Sequence, residues 1–216
     1  MTGTVLAVCA AGHDVALTTI AATAIDKRPT DARVPVTESG LVTDHVCDTK
    51  HHGGLDQAVY SYDDAEARRW ADELGRDLPF GWFGENLRIA GMNVTDAIVG
   101  ERWAVGEDGL ILETTIPRVP CRTFAEWSGE DRWIQRFTDR SDIGAYLRVI
   151  TAGTVGAGDT VTVVDIPDHG VSVRDLFRGT DNTDGLNKLL TTPGIAPKVH
   201  RDATRILKRT TRSAGT

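Results

Sequence analysis

Apolar residues recur in short runs through the first three quarters of the chain. "GTVLAVCAAG" and "DVALTTIAATAI" read as strands separated at Gly12, and "ARVPVTESG" as a further extended piece ending in a turn. "QAVYSY", "ENLRIAG", "ERWAVG" and "GLILETTIP" follow, each punctuated by Gly or Asp. Short strands at this spacing predict a closed barrel or a sandwich. "GAYLRVITAGTVGAGDTVTVVDI" returns to strands, its "VGAGD" turn leading into an edge or closing strand. Two interruptions carry helical patterns. "DDAEARRWADELG" has Asp63 or Asp64 to cap it and Gly75 where a C′ glycine belongs. "AEWSGEDRWIQRFTDR" predicts one or two short helices. Beyond "PDHG" the period changes: "SVRDLFRG", "TDGLNKLLTT" and "PKVHRDATRILKRT" all read as helices, capped by Ser172 and by Asp181 or Thr183. The prediction is a mainly β domain over 1–168 with peripheral helices, then a small C-terminal extension of three helices over 169–216, frayed at its end.

Composition narrows the class without choosing a function. The 216 residues are 40% hydrophobic and 25% charged, ordinary for a globular domain. A net charge of −7 argues against direct nucleic-acid binding and against an anionic membrane surface, so an anion site must be a local basic pocket. No apolar run approaches the ~20 residues of a membrane span, and the N-terminus lacks a basic region ahead of a long apolar one. The expected compartment is a reducing cytoplasm. Three scattered cysteines fit neither a disulfide framework nor a paired-cysteine zinc site.

Chemistry concentrates in a few stretches. In "TIPRVPC", Pro117 and Pro120 stiffen the chain around Cys121, which stands between Arg118 and Arg122. A nearby cation favours thiolate, the form that attacks electrophiles and binds soft metals. Cys9, in an apolar strand pattern, and Cys47, in a polar loop, carry no signal beyond packing. "KHHGG" places Lys50, His51 and His52 before Gly53 and Gly54, groups that can meet a metal or an anion on a loop. Adjacent histidines lack the spacing of a helical zinc pair. "PFGWFGENL" wraps Glu85 and Asn86 in aromatics. Glu38 and Asp44 bracket a Gly-Leu turn, and Arg148 interrupts an apolar strand, where it needs an anionic partner if it points inward.

Taken together, "GLVTDHVCDTKHHGGLDQAVYSY", "GWFGENL", "VGERWAVG", "TIPRVPC" and "GAYLRVI" resemble the MOSC family, the molybdenum cofactor sulfurase C-terminal domain, and within it the standalone YiiM-like branch. The resemblance spans roughly residues 5–168. It implies a β-barrel with peripheral helices that binds the molybdenum cofactor (molybdopterin), an anionic pterin dithiolene. It further implies that Cys121 ligates the metal as thiolate and that Glu38 and His52 serve catalysis as proton donors. Lys50, His51, His52, Gly53, Gly84, Glu85, Asn86, Arg118 and Arg148 become the expected cofactor contacts. Thr43 stands where relatives often have a second glycine, and Ser61 where some have a histidine.

The activity so implied is reduction of small N-hydroxylated substrates, of the hydroxylaminopurine or amidoxime type. Electrons would come from a separate reductase, since the chain has no dinucleotide fingerprint and no iron–sulfur cysteine cluster. The basic tail is a candidate dock for that donor or for a second copy in a homodimer. Two rivals remain open at this point: a cofactor or sulfur carrier that uses Cys121 as persulfide or metal ligand, and a cysteine–histidine hydrolase built on Cys121 and His52.

Overall fold

The structure, a computed structural model, describes residues 1–49 and 53–213. Eleven strands and six helices follow in the order β1 (Thr2–Ala10), β2 (Arg28–Pro29), β3 (Val34–Thr37), β4 (Gly40–Leu41), β5 (Val59–Asp63), α1 (Asp64–Leu74), β6 (Leu87–Ala90), β7 (Arg102–Val105), β8 (Leu110–Pro117), α2 (Arg122–Ser128), α3 (Trp133–Arg140), β9 (Ala145–Thr151), β10 (Gly153–Val155), β11 (Thr160–Asp165), α4 (Val173–Arg178), α5 (Thr183–Thr191) and α6 (Pro197–Ser213).

Seven strands in the order β11-β7-β8-β9-β5-β6-β1 close into a barrel, because β11 pairs with β7 on one edge and with β1 on the other. The "VGAGD" turn thus delivers the closing strand. Closure bends the sheet, and register shifts mark the bends, between Val5 and Ala7 in β1 and between Thr114 and Pro117 in β8. Val5, Val59, Leu112, Leu147 and Val161 fill the interior at full burial. A three-stranded sheet, β10-β3-β4, extends one end.

"DVALTTIAATAI" is a correction to the strand reading. Its only ladder contact is an isolated bridge, Val15 to Thr23, so residues 11–27 form a folded-back loop beside the barrel. Alternating Ala and Thr satisfy a strand pattern, but the sheet is already closed by β1 and β11 and offers this segment no edge.

The helices pack outside the barrel. Asp63 caps α1 by accepting from the Ala65 amide, and Gly75 ends it in the left-handed region at φ 64°. Trp70 of α1, Trp82, Phe124 of α2 and Trp133 and Phe137 of α3 form an aromatic cluster, with Phe124 centred 5.4 Å from Trp133 and 5.2 Å from Phe137. Ser172 and Asp175 make a capping box at α4, whereas α5 is capped by Asn182 and not by Asp181 or Thr183. The helical extension shares the barrel's core. Leu176, Leu186, Leu189, Val199 and Ala203 are buried, and the Val99 amide donates to the Val171 carbonyl across the junction. Among the described residues, no helix is long and apolar enough to cross a membrane.

One acid lies inside the seam between α1 and the extension. Glu66 is buried, accepts from the Thr95 hydroxyl at 2.7 Å, and meets Arg174 of α4 at 3.3 Å. Burial, reinforced by Asp142 and Asp63, raises its carboxyl from 4.5 to about 8. The folded chain therefore holds a proton that the unfolded chain has released. Stability contributed by the neutral acid is full below 4.5 and declines as pH rises toward 8. Glu66→Gln is expected to flatten the fall in Tm across that window; an unchanged slope in a pH series of thermal melts would contradict the assignment.

Candidate active site

Cys121 sits at the N-cap of α2, φ −123°, directly after the proline-framed end of β8. Pro120 limits the backbone on one side. On the other, Phe124 is driven into the aromatic cluster by burial worth about 1.5–3 kcal/mol for a side chain of this size. The thiol is half-buried. It lies where two contiguous cavities meet, both lined by Ile20, Asp48, Cys121, Thr123 and Tyr146. The inner cavity, about 190 Å³, is walled by the 20–27 loop, His45 to Asp48, Gly84 and Arg118. The outer, about 410 Å³, opens past Pro117, Val119, Arg122 and Lys198 of α6.

Arg118 is the main charge of the inner cavity. Its side chain is buried, donates to the Phe83 carbonyl, and lies over the rings of Phe124 at 4.2 Å and Tyr60 at 5.0 Å. Among the described residues these contacts are with neutral groups. Burial opposes the charge, but Tyr60, Tyr146 and Cys121 around it hold the guanidinium above its ordinary range, so it stays a cation. An anionic ligand would supply the missing countercharge. Lys27 adds a second cation, paired with Asp44. Burial lowers the Lys27 ammonium, and the Asp44 carboxylate works against that shift. Tyr146 keeps its proton at neutral pH because burial raises its phenol.

The remaining expected residues divide by position. Gly84 lines the inner cavity at φ 74°, its α-carbon turned so that a β-carbon would stand 3.4 Å from Ile25 and 3.6 Å from the Arg118 guanidinium. Gly84→Ala is expected to cost about 1–2 kcal/mol for a left-handed L-residue, read as a lower urea midpoint, with weaker ligand retention.

Glu85 and Asn86 do not line the cavity. Glu85 is buried, accepts from the amides of Gly81 (2.9 Å) and Phe83 (3.0 Å), and pairs with Arg88. Its burial follows from what the 79–86 loop needs, two amides satisfied from inside. Asn86 accepts from the Tyr60 amide at 3.0 Å and donates to the Cys9 carbonyl at 3.2 Å and to Asp44 at 2.7 Å. It ties β5 and β1 to the carboxylate that holds Lys27. Both residues support the site from behind.

Arg148 faces a different groove, between the barrel and the extension. It donates to Asp56 (2.6 Å) and to the Gly194 carbonyl (2.8 Å), which meets its need for an anionic partner. Glu38 is exposed on the β3–β4 turn and lines neither cavity. Gly53, at φ 81°, lines a separate depression with His45 and Gln57. Lys50, His51 and His52 lie outside the described residues. Sequence reasoning missed Lys27 and Tyr146. The one trace of Tyr146 was its place two residues before Arg148 in a quoted strand, and Lys27 had none.

Cys9 is buried in β1 and its thiol is pushed up to about 12, chiefly by burial, so it packs and does not react. Cys47 is exposed, contrary to a packing role.

A soft thiol donor beside the buried Arg118 cation and the ion-paired, half-buried Lys27, in a cavity with a wider mouth, fits a compact anionic metal cofactor. Comparison with known proteins gives the family. The family model described as "MOSC domain" matches residues 48–162. YflK of Bacillus subtilis is 29% identical over 152 residues, covering 70% of this chain and 68% of YflK. A protein named "Reductase" from Gibberella moniliformis is 27% identical over 158 residues, 72% of this chain but only 28% of that protein. The crystal structure of YiiM from Geobacillus stearothermophilus superposes with a TM-score of 0.75 at 20% identity, covering 95% of this chain and 99% of that one.

Proposed function

This chain belongs to the MOSC domain family, and from that premise we propose that it is a molybdenum-cofactor oxidoreductase that reduces N-hydroxylated compounds with electrons from a separate reductase. The observation that carries the reading is the pairing of Cys121 with Arg118 on one cavity wall: a metal-binding thiol next to a buried cation whose described neighbours are neutral. The reductase name of a relative supports the reaction class.

In this reading Cys121 ligates molybdenum as thiolate. Arg118 and Lys27, which line the inner cavity, would hold the anionic pterin, and Arg118 would offer its guanidinium for the bidentate pairing that suits a phosphate. When bound, the cofactor would supply two-electron redox chemistry at an N–O bond. Tyr146 holds a proton at the junction of the two cavities, within the electrostatic reach of Arg118 and Cys121, and is placed to donate it as the amine leaves. His52 remains a second proposed donor. Glu38, on its exposed turn, can take that part only if the turn closes over the mouth. The outer cavity, with Arg122 and Lys198 at its rim, admits the substrate.

The test is direct. Chain made in a host that synthesises the cofactor is expected to carry one molybdenum and to reduce an N-hydroxylated purine with a reduced viologen dye as donor. Loaded protein that leaves every N-hydroxylated base and amidoxime unchanged would end the oxidoreductase reading. One observation favours a second reading, a carrier of sulfur or cofactor: exposed Val119 and the open outer cavity put Cys121 within reach of a docking protein. Metal-free chain with sulfane sulfur on Cys121 would favour that reading.

A further inference from the structure

Outside the molybdenum reading, three donors converge at the edge of the inner cavity. Asp14 comes from the 11–27 loop, His45 and Cys47 from the loop after β4. Their ligand atoms, one from each residue, all lie within 4.8 Å of one another. One carboxylate oxygen of Asp14 is the hub: the His45 Nε2 is hydrogen-bonded to it, and the Cys47 Sγ donates to it at 3.2 Å. Those two contacts hold the Asp14 carboxyl below its usual range, the His45 bond contributing most. We propose that Asp14, His45 and Cys47 form a zinc site in the wall of the Cys121 cavity.

Four observations lead there. First, the donor set is one thiol, one imidazole and one carboxylate. Zinc is borderline in softness and takes all three, whereas magnesium and calcium avoid sulfur. Second, the spacing is right. Zinc–sulfur, zinc–nitrogen and zinc–oxygen bonds of about 2.0–2.3 Å put tetrahedral ligands roughly 3.3–3.7 Å apart; Cys47 Sγ and Asp14 stand 3.2 Å apart, and all three ligand atoms lie within 4.8 Å of one another. Third, the protons now shared within the cluster are the ones a metal displaces when it binds thiolate and neutral imidazole. Fourth, three protein ligands leave the fourth tetrahedral position to water, an arrangement zinc accepts.

The placement has a consequence. His45 and Cys47 line the inner cavity, and the 11–27 loop lines it through Ile20, Ala22 and Lys27. Zinc bound by Asp14, His45 and Cys47 would cross-link the two loops that shape the cavity. It would act beside the Cys121 site without belonging to it.

The experiment uses the untagged full chain, made in a host unable to synthesise the molybdenum cofactor, so that failure of the molybdenum reading leaves it untouched. After loading with zinc and desalting, elemental analysis is expected to give one zinc per chain. Cys47→Ser and Asp14→Asn are expected to fall to background, while Cys121→Ser keeps the metal. Cobalt loaded in place of zinc is expected to show a thiolate charge-transfer band in the near ultraviolet that disappears in Cys47→Ser. Asp14 and Cys47 are exposed and Cys121 is half-buried, and an unchanged far-ultraviolet dichroism spectrum checks that each variant folds. Background zinc in the parent chain, zinc retained in Cys47→Ser, or zinc lost equally in Cys121→Ser would each overturn the proposal.

Discussion

Cys121→Ala is expected to abolish molybdenum retention and with it the reduction of N-hydroxylated substrate. Residues that merely orient a metal ligand change affinity or activity by roughly 10–100-fold when removed. Loss of the ligand itself is expected to reach at least the upper end of that range. The fold should survive, because Cys121 is half-buried at a helix cap to which its side chain contributes no capping bond, and the α2 anchor is Phe124. The informative comparison is therefore between metal content and Tm of parent and variant. Metal lost at unchanged Tm supports the assignment. Metal kept in full would show that the pterin contacts of Arg118 and its neighbours suffice, and that the thiol has another task.

The second large effect is on stability. Glu85→Ala is expected to destabilise the chain by roughly 3–5 kcal/mol, the cost of leaving a buried charge without its partner. Glu85 is fully buried and Arg88 nearly so. Removal leaves the Arg88 guanidinium, set among the rings of Phe80, Phe83 and Tyr62, with only the more distant Asp64 carboxylate at 3.6 Å, and leaves the Gly81 and Phe83 amides without their acceptor. For a chain of this size the loss corresponds to a Tm lower by about 6–20 °C. A double variant, Glu85→Leu with Arg88→Met, is expected to be more stable than either single change, since no charge is then left unpaired. A Glu85→Ala protein that melts with the parent but fails to hold molybdenum would restore the direct cofactor contact implied by the family resemblance.

These two residues mark the limit of what a one-dimensional reading delivers. Cys121 and Glu85 both stand in motifs that announce themselves, one just after two prolines, the other inside a run of aromatics. The structure sends Cys121 to the cavity and Glu85 behind it. The motif showed that the loop matters, but a carboxylate that satisfies two amides of its own loop looks the same in sequence as one that meets a ligand. Arg148 and Tyr146 differ similarly. They lie two residues apart on β9, about 6.6 Å along a strand, yet one opens on the Cys121 cavity and the other on the groove beside the extension. Strand twist and barrel closure separate them.

By itself the sequence determined the local structure and the chemistry on offer. Proline placement made the Cys121 segment rigid, capping residues and a C′ glycine bounded α1, and period-two runs marked most of the barrel strands. Each of these depends on residues within a few positions of one another. Tertiary structure alone decided which strands close the barrel and left residues 14–25 outside it. It also paired Asp44 with Lys27 and Asn86, and gathered Asp14, His45 and Cys47. Those pairings join residues far apart in the chain. They are chosen by which faces remain once the core is buried, and no neighbouring residue encodes that choice.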